Sequence, residues 1–225
     1  MSADAVSITL LTLRVGLVAC AIILGPGVAL GYVLARKRFW GRTLVQTVVM
    51  LPMVLPPVAV GLLLLFLFAR RSPVGQAVES VFGAPLLLTW WAAALASAVM
   101  AFPMLVLGAQ QGFQSVPRRL EQVAATLGAS RRAVFFRVSL PLAARGILFG
   151  LAFAFARAIG EFGATTVVAG HIPGRTETLA LAIYARIEQF EDAEALGLAA
   201  VSLALALAMT GTAHWLLRSR EKGEA

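Results

Sequence analysis

The chain has 225 residues, of which 60% are hydrophobic and only 13% are charged. A soluble domain carries about 25% charged residues, so the composition excludes an ordinary soluble protein and favours one embedded in a membrane. The formal net charge of +8 does not indicate nucleic-acid binding, because the positive residues lie in short segments between apolar runs, as expected of loops that face anionic membrane lipid.

Five apolar runs follow one another along the chain. They cover about residues 9–35, 44–69, 86–109, 143–169 and 195–217. Each reaches the ~20 residues that a helix needs to cross a ~30 Å hydrocarbon core. Because lipid cannot satisfy backbone polar groups, we predict an all-α membrane protein, a polytopic helical bundle with about five transmembrane helices. Residues 1–225 are expected to form a single transmembrane domain with a core over about 9–217.

Two departures from simple spanning helices are predicted. Pro52, Pro56 and Pro57 interrupt the second run, and a proline removes a backbone donor and kinks a helix. In the connection 170–194, a turn marked by glycine and proline is followed by Thr178–Ile187, an apolar stretch too short to cross the bilayer. We expect this stretch to form a re-entrant or surface-lying helix.

The positive residues predict the orientation in the membrane. They follow the first run, separate the third from the fourth and follow the fifth: Arg36, Lys37, Arg38 and Arg42; Arg118, Arg119, Arg131, Arg132 and Arg137; and Arg218, Arg220 and Lys222. With five spans these three regions share one side, which the positive-inside rule assigns to the cytoplasm. The prediction is an outside N-terminus and a cytoplasmic C-terminus, although Arg70 and Arg71 then lie on the outer side.

The cytoplasmic segment 115–141 is predicted to contain two short helices separated by Gly128, a residue type that commonly ends a helix. Ser115 is expected to cap the first helix and Ser130 the second, and Pro141 to end the second. Apolar residues of the first helix recur on one face: Leu120, Val123, Ala124 and Leu127. Such a face either packs on the membrane domain or fits a groove on a partner.

The same segment resembles the coupling loop of ABC importer permease subunits. That loop carries Glu-Ala-Ala, three residues, a glycine, nine residues and Ile-x-Leu-Pro, and this chain has Gln122-Val123-Ala124, Gly128 and Val138-Ser139-Leu140-Pro141 at the same spacing. It departs from the pattern at Gln122 and Val123. The resemblance implies a type I ABC importer permease fold and a coupling helix that docks in a cleft on an ATP-binding subunit. It assigns that role to Glu121, Gln122, Ala124, Ala125, Gly128, Leu140 and Pro141.

A second stretch indicates which kind of ABC importer permease the chain resembles. Four segments resemble, in order, motifs of molybdate-type permeases: Gly160–Thr165, Val168–Gly170, Pro173–Thr176 and Thr178–Tyr184. This implies import of molybdate or tungstate across the cytoplasmic (inner) membrane of a bacterium. Sulfate permeases share the frame, so a sulfate or thiosulfate permease stays open. A membrane anchor or sensor subunit that docks a non-ATPase partner is a third alternative.

Charged and small residues inside the fourth run form a candidate gate. Arg157 and Glu161 are one helical turn apart, so they can pair on one face, and charges inside a membrane usually face the bundle interior. One interpretation is a structural ion pair that fixes helix packing. The other is a translocation pathway bordered by Arg157, Gly160, Glu161, Gly163, Thr165 and Thr166.

The chain is not expected to be an enzyme. A nucleotide-binding loop needs G-x-x-x-x-G-K-[ST], but the two lysines, Lys37 and Lys222, do not follow a glycine. Cys20 is the single cysteine and no metal-site spacing is present, so we predict no catalytic residue, metal or cofactor. By resemblance, the partners are two copies of an ATP-binding subunit, an extracytoplasmic substrate-binding protein, a second copy of the chain as a homodimer, and membrane lipid.

Overall fold

The computed structural model describes residues 3–221, and these residues form the helical bundle that the sequence predicts. The helices are α1 Ala3–Arg36, α2 Arg42–Val54, α3 Pro57–Phe68, α4 Pro73–Phe82, α5 Trp90–Ser115, α6 Arg118–Thr126, α7 Arg131–Val134, α8 Leu140–Ile159, α9 Gly163–Ala169, α10 Leu179–Glu188 and α11 Asp192–Glu221. A π-helical turn, Phe135–Ser139, joins α7 to α8. Lys222 of the predicted C-terminal positive cluster lies outside the described residues.

The helices that can cross a membrane agree with the predicted number of spans. Within residues 3–221, four helical segments are long and apolar enough: α1, α5, the continuous segment Arg131–Ile159, and α11 as far as Met209. The pair α2 and α3 makes a fifth span if it is counted as one, with a bend of 111° between its halves. The short helix α10 confirms the one predicted over Thr178–Ile187.

The bend in the second span comes from consecutive prolines. Leu55 and Pro56 adopt extended backbone conformations, with ψ of 145° and 132°, and α3 then starts at Pro57. A residue that precedes a proline is pushed out of the helical region by steric contact with the proline ring, which explains why both residues leave it. Pro52, in contrast, lies inside α2 without ending it.

The predicted fourth span, 143–169, is wrong at both ends. Its helix starts earlier, at Arg131, and it ends at Ile159, so that α9 is a separate short helix. Pro141 does not end a helix, because the preceding π-helical turn makes room for it. In that turn the Leu140 N–H donates to the Phe135 carbonyl, five residues back, and Pro141 falls in the first turn of α8, where its missing N–H is tolerated.

The centre of the bundle is α5, which packs between α1 and α8 through small side chains. A Cβ atom added at Gly108 would lie 2.4 Å from the Gly150 Cα, and one added at Gly146 would lie 2.4 Å from the Gly112 Cα. Two glycines on each helix therefore let the α5 and α8 backbones approach closely. In lipid, where apolar burial drives little association, such contact is a main source of helix packing.

The contacts also show which loops share a side of the bundle. Arg36 at the end of α1 donates to the carbonyl of Val116, just after α5, at 2.9 Å. At the other end of α5, the Leu88 N–H donates to the Val168 carbonyl at the end of α9, also at 2.9 Å. The connections that follow α1 and α5 therefore lie together, as the five-span prediction requires.

We expect Gly146→Ala to lower the free energy of unfolding by about 1–3 kcal/mol, because the new methyl group would push α8 away from α5. The matched control is Gly197→Ala in α11, where a Cβ meets nothing within 4 Å. That change should be neutral or add up to about 1 kcal/mol through helix propensity. Thermal unfolding in detergent measures both, and equal stability of the two variants would contradict this packing.

Candidate functional site

The hairpin formed by α6 and α7 is shaped by hydrogen bonds around Gly128. Gly128 has a φ of 87°, a left-handed conformation that favours glycine. Its N–H donates to the Ala125 carbonyl at 3.0 Å, and the Ala129 N–H donates to the Ala124 carbonyl at 3.1 Å. These two bonds make a Schellman motif, which satisfies carbonyls left free at the helix end. The predicted end of the first helix at Gly128 is confirmed.

The two predicted serine caps have different outcomes. The Ser130 hydroxyl accepts from the Ala133 N–H at 3.3 Å and caps α7, as predicted. The Ser115 cap is wrong, because Ser115 is the last residue of α5 and its hydroxyl donates back to the Gly112 carbonyl at 2.8 Å. Helix α6 instead begins at Arg118 after Pro117, without a side-chain cap.

One face of the hairpin presents apolar side chains to the surroundings. The exposed fractions are 45% for Leu120, 49% for Val123 and 82% for Leu127. We call these three residues the docking face. Of the predicted coupling residues, Gln122, Ala125, Gly128 and Pro141 are exposed, and Ala124 and Leu140 are half-buried. From the sequence, this face either packs on the chain's own membrane domain or fits a groove on a partner. In the structure the membrane domain leaves much of the face uncovered.

Glu121 is turned the other way, toward the bundle. Its Oε1 atom accepts from Arg36 Nη2 at 2.9 Å and from the Ser139 hydroxyl at 2.7 Å. The same Arg36 Nη2 donates to the Val116 carbonyl. The side chains of Arg36 and Glu121 are only 10% and 19% exposed. We call this group, Arg36, Val116, Glu121 and Ser139, the Glu121 anchor, since it ties α6 to α1, α5 and the π-helical turn.

Three aromatic rings reinforce the elements that the anchor joins. Tyr32 meets Phe113 and Phe135 edge-on, with ring centroids 5.1 and 4.9 Å away, and Phe113 stacks on Phe135 at 6.0 Å. Each ring lies three or four residues before an anchor residue on its own element. Such aromatic pairs contribute about 0.5–1.5 kcal/mol each beyond their area of burial. The α1, α5 and π-turn ends are therefore held together at this side of the bundle.

Sequence reasoning did not find Arg36, Ser139 or the three rings. In the sequence Arg36 is one of several cations in its loop, and its partner Glu121 lies 85 residues away. A pattern of short-range spacing carries no information about such a contact. One sequence feature does connect two of these residues: Tyr32 and Arg36 are four residues apart, so they lie on one face of a helix.

The predicted ion pair in the fourth run is present, but for a different structural reason. Arg157 Nη1 lies 2.6 Å from Glu161 Oε2, and the Glu161 side chain is 1% exposed. Helix α8 has already ended at Ile159, so Glu161 sits in the break between two helices. Its Oε1 accepts from the Ala164 N–H at 2.7 Å and so caps α9. A carboxylate suits this place because a helix start has free N–H groups and partial positive charge.

The other predicted pathway residues divide into exposed and buried ones. Gly160 and Thr166 are exposed, whereas Gly163 and Thr165 are buried. Both threonine hydroxyls donate to the Phe162 carbonyl, at 2.8 Å from Thr165 and 2.6 Å from Thr166. The two hydroxyl protons therefore bond to the backbone carbonyl at the helix break. They are not available to bind a passing anion in this conformation.

Gly163 is buried because α3 starts against it. A Cβ atom at Gly163 would lie 2.8 Å from Pro57 Cβ, and one at Gly61 would lie 2.9 Å from the Ala164 Cα. The α8–α9 break and the α2–α3 bend thus meet inside the bundle. We call this meeting point, Pro57, Gly61, Glu161, Gly163 and Ala164, the broken-helix junction.

Spanning helices interrupted at a packed junction, with an exposed hairpin at one side, form the kind of helical membrane bundle that the sequence predicts for a permease subunit. Comparison with known proteins agrees. Residues 27–222 match the family described as "Binding-protein-dependent transport system inner membrane component". The chain belongs to this family and is a multi-pass inner-membrane protein.

Individual relatives support the same family, and a solved structure supports the fold. The chain is 41% identical over 215 residues to the "Molybdenum transport system permease protein ModB" of Escherichia coli, covering 95% of this chain and 94% of that one. It is 35% identical to the "Sulfate transport system permease protein CysT" of Salmonella typhimurium, covering 80% and 65%. A crystal structure of a bacterial ABC transporter for alginate import matches with a TM-score of 0.76, at 17% identity, over 97% of this chain and 80% of that one. The predicted fold class is confirmed.

We expect Glu161→Ala to lower the free energy of unfolding by about 1–3 kcal/mol, because it leaves the buried Ala164 N–H without its acceptor and the half-buried Arg157 without its carboxylate partner. Glu161→Gln retains an acceptor for the Ala164 N–H and should cost less. Glu79→Ala is the control, since it removes an exposed ion pair with Arg70 worth less than about 1 kcal/mol. Thermal unfolding in detergent ranks the three, and equal losses for Glu161→Ala and Glu79→Ala would contradict the structural role.

Proposed function

We propose that this chain is the permease subunit of an ATP-driven importer that carries molybdate, and also tungstate, across the inner membrane. The observation that carries the proposal is the similarity to a molybdenum permease along nearly the whole of both chains. The sulfate-named relative is less similar and is matched over a smaller share of its length. A sulfate permease is therefore the second candidate, favoured by that one relationship.

In this proposal residues 1–225 are a single permease domain, and two copies form the membrane pathway. Each copy docks one ATP-binding subunit, and an extracytoplasmic binding protein delivers the oxyanion. Because ATP is cytoplasmic, the hairpin must face the cytoplasm, which places the N-terminus outside and the C-terminus inside. The shared side of the loops after α1 and α5 supports this orientation, and so do the arginines of the hairpin.

The coupling residues follow from the geometry of the hairpin. The docking face fits an apolar cleft on the ATP-binding subunit, with Gln122, Ala125 and Gly128 on the accessible surface beside it. Ala124 contributes a carbonyl to the Gly128 motif, and Glu121 contributes by holding α6 on the bundle. Leu140 and Pro141 lie where the hairpin continues into α8.

The continuous helix offers a route from the hairpin to the pathway. The segment from Arg131 to Ile159 has no break, so a displacement of α7 is carried along α8 to the broken-helix junction. We place the gate there, bordered by Arg157, Gly160, Glu161, Gly163, Thr165 and Thr166. The packed junction of α3 and α9 corresponds to a closed pathway, and a rigid shift of α8 would separate them.

Uptake of radiolabelled molybdate by cells that lack this chain tests the substrate. We expect uptake from a low external concentration to be lost, and to return when the chain is supplied. Excess unlabelled tungstate should compete strongly and excess sulfate weakly, because a sulfate-specific system would show the reverse order. Loss of sulfate uptake with normal molybdate uptake would contradict the molybdate assignment and favour the second candidate.

Two substitutions at one position test the coupling hairpin. Gly128→Pro should abolish uptake while the protein still inserts, because proline fixes φ near −65° and cannot donate the bond to Ala125. Gly128→Asn is the matched control and should retain most activity, since asparagine tolerates the left-handed conformation. Normal uptake with Gly128→Pro would contradict the proposed coupling role.

Charge placed on the docking face should weaken contact with the ATP-binding subunit. We expect Leu127→Asp to reduce co-purification of that subunit by at least about tenfold, because an apolar contact would then bury an unpaired carboxylate. Val81→Asp, at an equally exposed apolar residue of α4, is the control and should leave co-purification unchanged. Equal recovery of the ATP-binding subunit with both variants would contradict docking on this face.

A further inference from the structure

Arg36 joins the last turn of α1 to the hairpin. Its Nη2 atom donates both to Glu121 of α6 and to the Val116 carbonyl, each at 2.9 Å. The guanidinium is nearly buried, and the Glu121 oxygen that it contacts also accepts from Ser139, next to α8. One carboxylate oxygen thus links three elements. Charge-assisted bonds of this kind are roughly twice as strong as neutral ones.

A position near the middle of the same helix reaches the region of the gate. A Cβ atom at Gly16 would lie 2.8 Å from the Phe155 ring and 3.1 Å from Ile159, the last residue of α8 before the break. From Gly16 to Arg36 a straight helix covers about 30 Å, at 1.5 Å per residue. Helix α1 therefore contacts the hairpin through Arg36 at its end, and it contacts the α8 residues beside the break through Gly16.

Between these two points α1 lies close against α5. A Cβ atom at Gly27 would meet the Leu105 side chain at 2.7 Å, and one at Gly31 would meet the Ala109 Cβ at 2.6 Å. Pro26 also lies inside this stretch of α1, and the close packing against α5 directly after it limits bending there. Any movement of the hairpin that Arg36 transmits would reach the break along α1 as well as along α8.

From these contacts we propose that Arg36 is a positioning residue for coupling: it makes α1 and the coupling helix move as one unit, so that α1 is a second rod between the ATP-binding subunit and the gate. The inference rests on the proposed function of the chain as an ATP-driven permease. It assigns Glu121 a role on the permease side of the hairpin, holding α6 to α1, and leaves the docking face to contact the partner.

Substitution of Arg36 separates transport from ATP hydrolysis. In the complete transporter with its ATP-binding subunit and binding protein, Arg36→Ala should lower substrate-dependent uptake about tenfold, within the range expected for energetic coupling between sites. ATP hydrolysis should fall by less than about twofold, since the docking face is untouched. Arg38→Ala, which removes a cation of the same loop, is the matched control and should change neither rate.

A charge exchange provides the conservative rescue. Arg36→Glu combined with Glu121→Arg should recover at least half of the uptake lost in either single variant, because the exchanged ions can pair at the same place. Recovery shows that the link itself matters and not the identity of each side chain. If Arg36→Ala transports and hydrolyses like the wild type, the inference is overturned.

If the charge-exchanged variant folds poorly, a covalent link between the same two positions provides a second test. In a Cys20→Ala background, Arg36→Cys and Glu121→Cys can be joined with a short bifunctional thiol reagent. We expect the unlinked variant to be poorly coupled and the link to restore uptake, since α1 and α6 then move together again. If linking abolishes the remaining uptake, the two helices separate during transport and the inference is wrong.

The wild-type transporter in the same assay keeps the two proposals apart. If it shows no ATP-dependent uptake of molybdate, tungstate or sulfate, the proposed function fails. If it transports and the Arg36 variants stay fully coupled, only the role of Arg36 fails.

Discussion

The bilayer leaves no water to satisfy a broken backbone, and this constraint explains the unusual parts of the fold. At the break between α8 and α9, substitute partners are present. Glu161 accepts from the Ala164 N–H at the start of α9, and the hydroxyls of Thr165 and Thr166 donate to the Phe162 carbonyl. At Pro141 the helix widens into a π-turn and continues. The interruptions are therefore built elements of the bundle.

Small residues determine how these elements fit together. The glycines that face each other on α5 and α8 bring the two backbones close, and Gly27 and Gly31 do the same for α1 against α5. Because the three long helices are in close contact, a displacement of one is transmitted to the others. The hairpin is attached to this unit three times: along the chain from α5, along the continuous helix into α8, and through Arg36 to α1. Three attachments restrict its rotation as well as its translation.

Local signals predicted local structure well. Gly128 ends α6 and Ser130 caps α7, because a helix end depends on the conformation and hydrogen bonds of a few neighbouring residues. The errors at Ser115 and Pro141 have the opposite cause. Each residue type is compatible with more than one place in a helix, and the packing of long helices extended α5 to Ser115 and α8 past Pro141.

Composition and apolar run length by themselves determined that this is a multi-pass helical membrane protein, since hydrocarbon thickness translates directly into helix length. The spacing from Gln122 to Pro141 likewise carried the resemblance to ABC importer permeases, and the chain belongs to the family of such inner-membrane transport components. Only the tertiary structure decided that Glu121 faces Arg36 and that Glu161 closes a helix break. Such contacts join residues from different elements, or depend on where a helix stops. Their energy comes from burial and charge pairing that exist only after the bundle has packed.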